Sequence, residues 1–213
     1  MSDIQQKAKR RGPGVAGYIV GAVVLIGAAA ALYVISPRFI KPAAPVAASA
    51  ASGELKSLAT GSMAALSTVS AGKPAPDTVF IDATDHPMHL ADLKGKLLVV
   101  NLWATWCAPC IKEMPSLAKL QAAYPDRIVV VPISMDKTAD REKARAFMAQ
   151  NTPLPFYEDE KSAMAFELSP PAEGFPTTVI YDAAGHEKAR LADGADWTTP
   201  EARALFDTLL KGG

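Results

Sequence analysis

The chain has 213 residues, of which 49% are hydrophobic, and its 22 basic side chains balance 22 acidic ones. This length suits one ordinary domain with additional segments. A formal net charge of zero provides no basic excess of the kind that binds nucleic acid, so we expect no nucleic-acid partner.

The N-terminal segment predicts a membrane anchor. Residues 1–14 carry four basic side chains and one acidic one, whereas residues 15–35 carry no charge. A helix over this apolar run, with a rise of about 1.5 Å per residue, spans the hydrocarbon core of ~30 Å. The basic excess before it places residues 1–14 in the cytoplasm and the body in the periplasm. We therefore predict a single-pass protein of the inner (cytoplasmic) membrane.

A cleaved signal peptide is the alternative, because Ala48-Ser49-Ala50 resembles a cleavage site. That site lies well beyond the apolar run, which is also longer than the ~7–15 residues of the apolar region within a signal peptide. An uncleaved anchor is therefore favoured. Residues 36–74 are rich in Ala, Pro, Ser and Gly, a composition that buries too little apolar surface to fold, and they predict a flexible periplasmic linker. A weak helical pattern over 54–66 allows part of the linker to pack onto the body.

The globular body is predicted to span residues 75–213 as an α/β domain, because strand and helix patterns alternate along it. The patterns first predict a strand at 78–82, a hairpin partner at 87–90, a buried strand at 97–102 and a helix from about 108. They continue with a central parallel strand at 127–135, a helix at 138–151, an extended stretch at 152–158 and a short helix at 161–168. The chain is then predicted to form a strand at 175–181, an antiparallel edge strand at 187–191 and a final helix that opens at Thr199-Pro200-Glu201.

The chain has only two cysteines, Cys107 and Cys110, which lie where the buried strand gives way to the first helix. Unpaired N–H groups and the positive end of the helix dipole favour an anion there, so a thiolate at Cys107 is stabilised. Two residues between the sulfurs allow an intramolecular disulfide. We expect an exposed Cys107 to act as the nucleophile and Cys110 as the resolving thiol.

Three other interpretations of the cysteine pair compete. A structural zinc site needs four ligands, and the three histidines form no ligand-spaced set with a second cysteine pair, so no metal site is predicted. A purely structural disulfide across so short a loop would restrict the unfolded chain only slightly. Two buried spectator thiols would not explain a pair flanked by tryptophan at a strand-to-helix junction.

The sequence Trp103-Ala-Thr-Trp106-Cys107-Ala-Pro109-Cys110 resembles the active site of thioredoxin-fold proteins, specifically the membrane-anchored TlpA/ResA/CcmG family, and is closest to TlpA. The resemblance implies a three-layer sandwich around a central mixed sheet. It also implies that Pro115 kinks the active-site helix and that Phe175-Pro176 forms a cis-proline loop facing the disulfide. The expected substrate-binding surface beside the disulfide consists of Trp106, Pro109, Phe175 and Pro176. Trp103 is expected to pack below this surface.

Two positions depart from ordinary thioredoxin. Asn101 stands where thioredoxin keeps a buried acid, and Glu113 matches the active-site glutamate of the ResA-like branch. A carboxylate three residues after Cys110 on the same helical face can accept the proton of that thiol. The alternative is a solvated glutamate in the first turns of the helix, stabilised by its dipole.

The resemblance implies a thiol:disulfide oxidoreductase without a cofactor that acts mainly as a reductant. Expected clients are the cysteine pairs of apocytochrome c or of copper-handling proteins of cytochrome oxidase assembly. Because an anchored domain has no electron source of its own, a membrane electron donor of the DsbD/CcdA type is implied. A copper-binding chaperone of the same fold and a disulfide-inserting oxidase remain the alternatives.

Overall fold

In the computed structural model, which describes residues 53–211, eight strands form one mixed sheet. Its order is β1-β8-β7-β4-β5-β6-β2-β3. The strands are β1 (Leu66–Ser67), β2 (Phe80–Asp82), β3 (Pro87–Met88), β4 (Leu97–Trp103), β5 (Ile128–Ser134), β6 (Tyr157–Glu158), β7 (Thr177–Tyr181) and β8 (Glu187–Leu191).

Strand β4 lies at the middle of the sheet. It pairs in parallel with β5, from Leu97 opposite Ile128 onward, and antiparallel with β7. All seven residues of β4 are buried, because both faces of the sheet are covered. The predicted mixed sheet with a buried strand before the cysteines is therefore confirmed.

The helices are α1 (Ala108–Ala123), α2 (Arg141–Met148), α3 (Ala163–Glu167) and α4 (Pro200–Lys211). Apolar side chains of α1, α2 and α4 share one core cluster with Val99 and Trp103, on one face of the sheet. Leu98 and Val100 point the other way, into a second cluster that includes α3. Alternate residues of β4 thus fill two cores. The last helix begins where the sequence predicted, and Thr199 caps it, since its hydroxyl accepts a hydrogen bond from the Ala202 N–H.

The folded body begins earlier than the sequence predicted. Leu55 and Met63 are 2% and 0% exposed and belong to the first core cluster, so this part of the predicted linker packs onto the body, as the weak helical pattern over 54–66 allowed. Strand β1 adds to the sheet outside β8, with Leu66 opposite Leu191. The prediction that residues 187–191 form an edge strand is therefore wrong. The physical reason is that two paired residues suffice for β1, too few to produce a periodic signal.

The remaining differences concern element ends. The predicted helix at 138–151 divides into a 3-10 turn, Thr138–Asp140, followed by α2, and the hairpin partner at 87–90 is only the two residues of β3. The predicted anchor at 15–35 and the N-terminal segment before it lie outside the described residues. Within residues 53–211, no helix combines the length and the apolar character that a membrane crossing requires.

Candidate active site

The two cysteines form a disulfide at the point where β4 gives way to α1. The S–S distance is 2.04 Å, and Cys107 is the N-cap residue of the helix. Its sulfur accepts a hydrogen bond from the Cys110 N–H at 3.3 Å. The donor is one of the N–H groups that have no intrahelical partner at a helix start. The first cysteine therefore lies where the helix favours negative charge, as the sequence predicted.

The two cysteines are less exposed than the sequence predicted for Cys107. Cys107 is only 5% exposed, rather than freely accessible, and Cys110 is completely buried. Of the pair, only Cys107 has a surface that a second molecule can reach. The side chain of Trp106, in contrast, is 65% exposed, while Trp103 is buried and packs on Phe147 at 5.4 Å between ring centroids. The predicted packing of Trp103 below the site is confirmed.

The loop before β7 lies beside the disulfide. The Phe175–Pro176 peptide bond is cis, as the resemblance implied. The Phe175 ring is half-buried and lies 5.8 Å from the Trp106 ring, centroid to centroid, whereas Pro176 is buried. Trp106 and Phe175 thus form one apolar surface next to Cys107.

Pro109 is exposed in the first turn of α1, where its missing N–H has no partner to lose. A Cβ added to Gly194 would lie 3.2 Å from the Pro109 Cβ, so a larger residue would have to push Pro109 aside by a few tenths of an ångström. Pro115 lies inside α1 and removes one intrahelical hydrogen bond there. The loop containing Gly194 therefore closes against the active-site turn.

Glu113 is 3% exposed, so it is not the solvated helix residue of the alternative interpretation. One carboxylate oxygen accepts a hydrogen bond from the Asn101 side-chain amide at 2.7 Å. The other accepts from the Ala195 N–H at 3.0 Å and from the Trp197 indole N–H at 3.3 Å. Three donors from two distant parts of the chain thus converge on a buried carboxyl group one helical turn after Cys110.

Burial raises the pKa of Glu113 to about 7. The hydrogen bonds from Ala195, Asn101 and Trp197 oppose this shift because they stabilise the ionised form, and the charge of Asp193 adds slightly to it. Glu113 is one of the residues that line a groove of about 520 Å³, together with Lys112 and Asp193. A carboxyl group with a pKa near neutral pH is suited to take up and release a proton.

Asn101 is fully buried and connects this carboxyl group to the sheet. Its amide nitrogen donates to Glu113 and also, at 2.9 Å, to the hydroxyl of Thr178 on β7. Its oxygen has no hydrogen-bond partner among the described residues. An amide offers both a donor and an acceptor, so Asn101 can serve Glu113 in either protonation state if the amide turns over.

Sequence reasoning missed the role of Asp136, which follows the end of β5. Its carboxylate is 1% exposed and accepts hydrogen bonds from the Thr105 N–H and hydroxyl and from the Ser134 hydroxyl. Thr105 immediately precedes Trp106. The buried carboxylate therefore fixes the turn that carries the tryptophan and the first cysteine, and an acid directly after a buried strand was the only signal for it.

The chemistry available to this arrangement is the exchange of two electrons between a dithiol and a disulfide. Such exchange needs a sulfur at a helix start, a second sulfur close enough to form a disulfide with it, and a nearby group that takes up a proton. Within residues 53–211, no cluster of three or more His, Cys, Asp or Glu side chains is arranged to hold a metal ion.

Comparison with known proteins identifies relatives of this domain. Residues 71–188 match the model of the AhpC/TSA family. The chain is 36% identical over 117 residues to the thioredoxin-like protein YneN of Bacillus subtilis, covering 54% of this chain and 66% of that protein. It is 31% identical over 123 residues to the thiol-disulfide oxidoreductase ResA of Geobacillus kaustophilus, covering 56% and 68%. The chain thus spans about two thirds of the length of these relatives.

A solved structure shows the same fold. The thioredoxin domain of a thiol-disulfide oxidoreductase from Bacteroides vulgatus superimposes with a TM-score of 0.54 at 25% identity. The match covers 67% of this chain and 97% of that one. The predicted thioredoxin-like α/β fold is therefore confirmed.

Proposed function

We propose, because the chain belongs to the AhpC/TSA family and within it to the TlpA/ResA/CcmG group of thiol-disulfide oxidoreductases, that it is a membrane-anchored periplasmic reductant of protein disulfides. Its clients are cysteine pairs in proteins of cytochrome c or cytochrome oxidase biogenesis. The relative named ResA supports the reaction class, and the uncharged run at residues 15–35 supports the anchor.

The reaction proceeds in two exchanges. The Cys107 thiolate attacks one sulfur of the client disulfide, forming a mixed disulfide and releasing the other client sulfur as a thiolate. The Cys110 thiolate then attacks the Cys107 sulfur, which restores the disulfide within the protein and releases the second client thiolate. Two electrons pass from the protein to the client. Glu113 accepts the proton that Cys110 loses before its attack.

The observation that carries the reducing direction is the burial of Glu113 one helical turn after Cys110. A disulfide protein is a strong oxidant when its reduced form is stabilised. An ionised Glu113 repels a thiolate at Cys110, and because both side chains are buried this repulsion is weakly screened. Cys110 therefore stays a thiol, and the reduced form does not gain the stabilisation by ionisation that characterises a strong oxidant, which favours electron donation.

Client binding is assigned to the surface around Cys107. The exposed Trp106 ring and the Phe175 ring offer an apolar contact, and Pro109 lies exposed beside them. Pro176 has no N–H, so the backbone next to it leaves room for an extended client segment to pair with the loop. This arrangement suits a polypeptide disulfide.

Each turnover leaves the protein oxidised, and the chain has no further cysteine with which to store electrons. A membrane partner of the DsbD/CcdA type is the proposed donor, since it would deliver electrons to an anchored domain on the periplasmic side. No cofactor is required, because both exchanges are made by sulfur atoms alone.

Trapping of the mixed disulfide tests the proposal. The reduced Cys110→Ser variant is mixed with a peptide that carries the oxidised Cys-X-X-Cys-His motif of a haem attachment site, and the product is weighed by mass spectrometry. We expect a stable adduct through Cys107, none with Cys107→Ser, and complete reduction of the peptide by the unmodified protein. Absence of the adduct would contradict the proposed function.

A further inference from the structure

A buried ion pair on β8 reaches the loop that precedes Pro176. Glu187 and Arg190 are 2% and 8% exposed. The guanidinium donates through Nε and Nη2 to both carboxylate oxygens of Glu187, at 3.1 and 2.9 Å. Its third nitrogen, Nη1, donates to the backbone carbonyl of Pro170 at 2.6 Å. One side chain thus joins strand β8 to the loop, at a point five residues before Phe175.

The same loop, residues 169–175, is held at three further points. Lys73 Nζ donates to the Ser169 hydroxyl at 3.0 Å, and the Ala172 N–H donates to a carbonyl of α3 at 2.8 Å. The Gly174 carbonyl accepts from the Thr177 hydroxyl at 2.7 Å. The contacts from Arg190 and Lys73 are both charge-assisted, but Lys73 is exposed, whereas Arg190 is buried and lies on a strand of the sheet. Arg190 is therefore the strongest constraint on where the loop lies.

Fold stability does not by itself explain the pair. Burying two charges costs desolvation energy that their attraction repays only in part, and apolar replacements of such pairs are often neutral or stabilising. The hydrogen bonds of Arg190 go only to Glu187 and Pro170 among the described residues, so the pair does not act on the sulfur atoms directly. What it does is orient a loop whose last residue, Phe175, lies against Trp106.

We propose that Arg190 is a positioning residue for client recognition. It holds loop 169–175 so that the backbone before Pro176 is presented, already ordered, to an extended polypeptide that carries the client disulfide. A preordered loop loses less conformational entropy when the client binds. A small disulfide without a peptide backbone makes no use of the loop, so Arg190 acts on polypeptide disulfides alone. This inference rests on the proposed function and deepens it.

The test compares two substrates in single turnovers of the reduced full chain, followed by tryptophan fluorescence. The substrates are the oxidised Cys-X-X-Cys-His peptide and 2-hydroxyethyl disulfide, which has no backbone. Lysine keeps the charge at position 190 but lacks the planar fork that binds Glu187 and Pro170 together. For Arg190→Lys we expect the half-saturating peptide concentration to rise by about tenfold, as loss of one charge-assisted hydrogen bond implies. The limiting rate, the rate with 2-hydroxyethyl disulfide and the reduction potential stay unchanged.

Arg145→Lys is the matched control. Arg145 is half-buried and, like Arg190, donates to a backbone carbonyl, that of Ala83, at 2.8 Å, but it makes no hydrogen bond to loop 169–175. Arg145→Lys is expected to leave the reduction of both substrates unchanged. A second variant, Glu187→Gln with Arg190→Met, is used if Arg190→Lys fails to fold. It removes both charges together and so leaves no unpaired buried charge. This double variant should show the same loss of affinity for the peptide, with no change in the rate for 2-hydroxyethyl disulfide.

The outcomes separate the two proposals. If the unmodified protein reduces neither substrate, the proposed function fails and the role of Arg190 fails with it. If it reduces both and the folded Arg190 variants keep full affinity for the peptide, the role of Arg190 alone is overturned. Equal slowing of both substrates, or a changed reduction potential, would also overturn it, because a general structural role predicts that result.

Discussion

Replacing Glu113 by glutamine is expected to remove a large part of the pH dependence of stability. Burial raises the pKa of Glu113 from 4.5 to about 7 in the folded protein, and the unfolded chain regains the ordinary value. Between these pH values the folded protein binds more protons than the unfolded chain, so its stability falls as pH rises. Since one pKa unit corresponds to about 1.4 kcal/mol, the loss amounts to about 3 kcal/mol.

Glutamine imitates the protonated carboxyl group. It keeps an oxygen that accepts from Ala195 and Trp197, and its amide can donate to Asn101 once that side chain turns over. The variant should therefore match the unmodified protein at pH 4.5 and exceed its unfolding free energy by about 3 kcal/mol at pH 8, where the unmodified carboxylate is ionised and buried.

Urea unfolding of the oxidised protein at pH 4.5 and pH 8 measures this difference. The disulfide stays closed throughout, so the cysteines do not titrate. Glu173→Gln serves as the control, since Glu173 is exposed, and it should follow the unmodified protein at both pH values. Parallel stability curves for Glu113→Gln and the unmodified protein would refute the reasoning, because they would mean that Glu113 titrates alike in the folded and unfolded states.

Three further substitutions test other contacts of the site. Asp136→Ala should lower the unfolding free energy by about 2–4 kcal/mol in urea titrations, because the Thr105 N–H and hydroxyl lose their buried acceptor. Gly194→Ala should cost about 1 kcal/mol in the same assay, since its Cβ would press on Pro109 at 3.2 Å. Trp106→Ala should change stability by less than about 0.5 kcal/mol but slow reduction of the peptide disulfide by about tenfold, because the exposed ring contributes to binding and not to the core.

The parts of the site that the sequence predicted are local ones. The strand before Cys107, the helix after it and the capping position of that cysteine depend on neighbouring residues and on periodicity, which can be read from one stretch of chain. The cis bond before Pro176 came from family resemblance alone, because few X–Pro bonds are cis and nothing local marks this one.

The parts that the sequence did not predict depend on contacts between distant residues. Glu113 is buried because the backbone of Ala195 and the side chain of Trp197, more than 80 positions away, close over it. Strand β1 is two residues long and lies in a segment whose composition is that of a linker. The interaction between Arg190 and Pro170 follows from the pairing of β7 with β8, which no periodicity specifies.

The reduction potential of the Cys107–Cys110 couple tests the central claim most directly. The full chain is equilibrated with dithiol buffers of known potential at pH 7, and the oxidised fraction is measured. The account predicts a value near or below that of thioredoxin, about −270 mV, because Glu113 disfavours a thiolate at Cys110. A value near −120 mV, the range of the oxidant DsbA, would contradict a reductant and identify a protein that inserts disulfides.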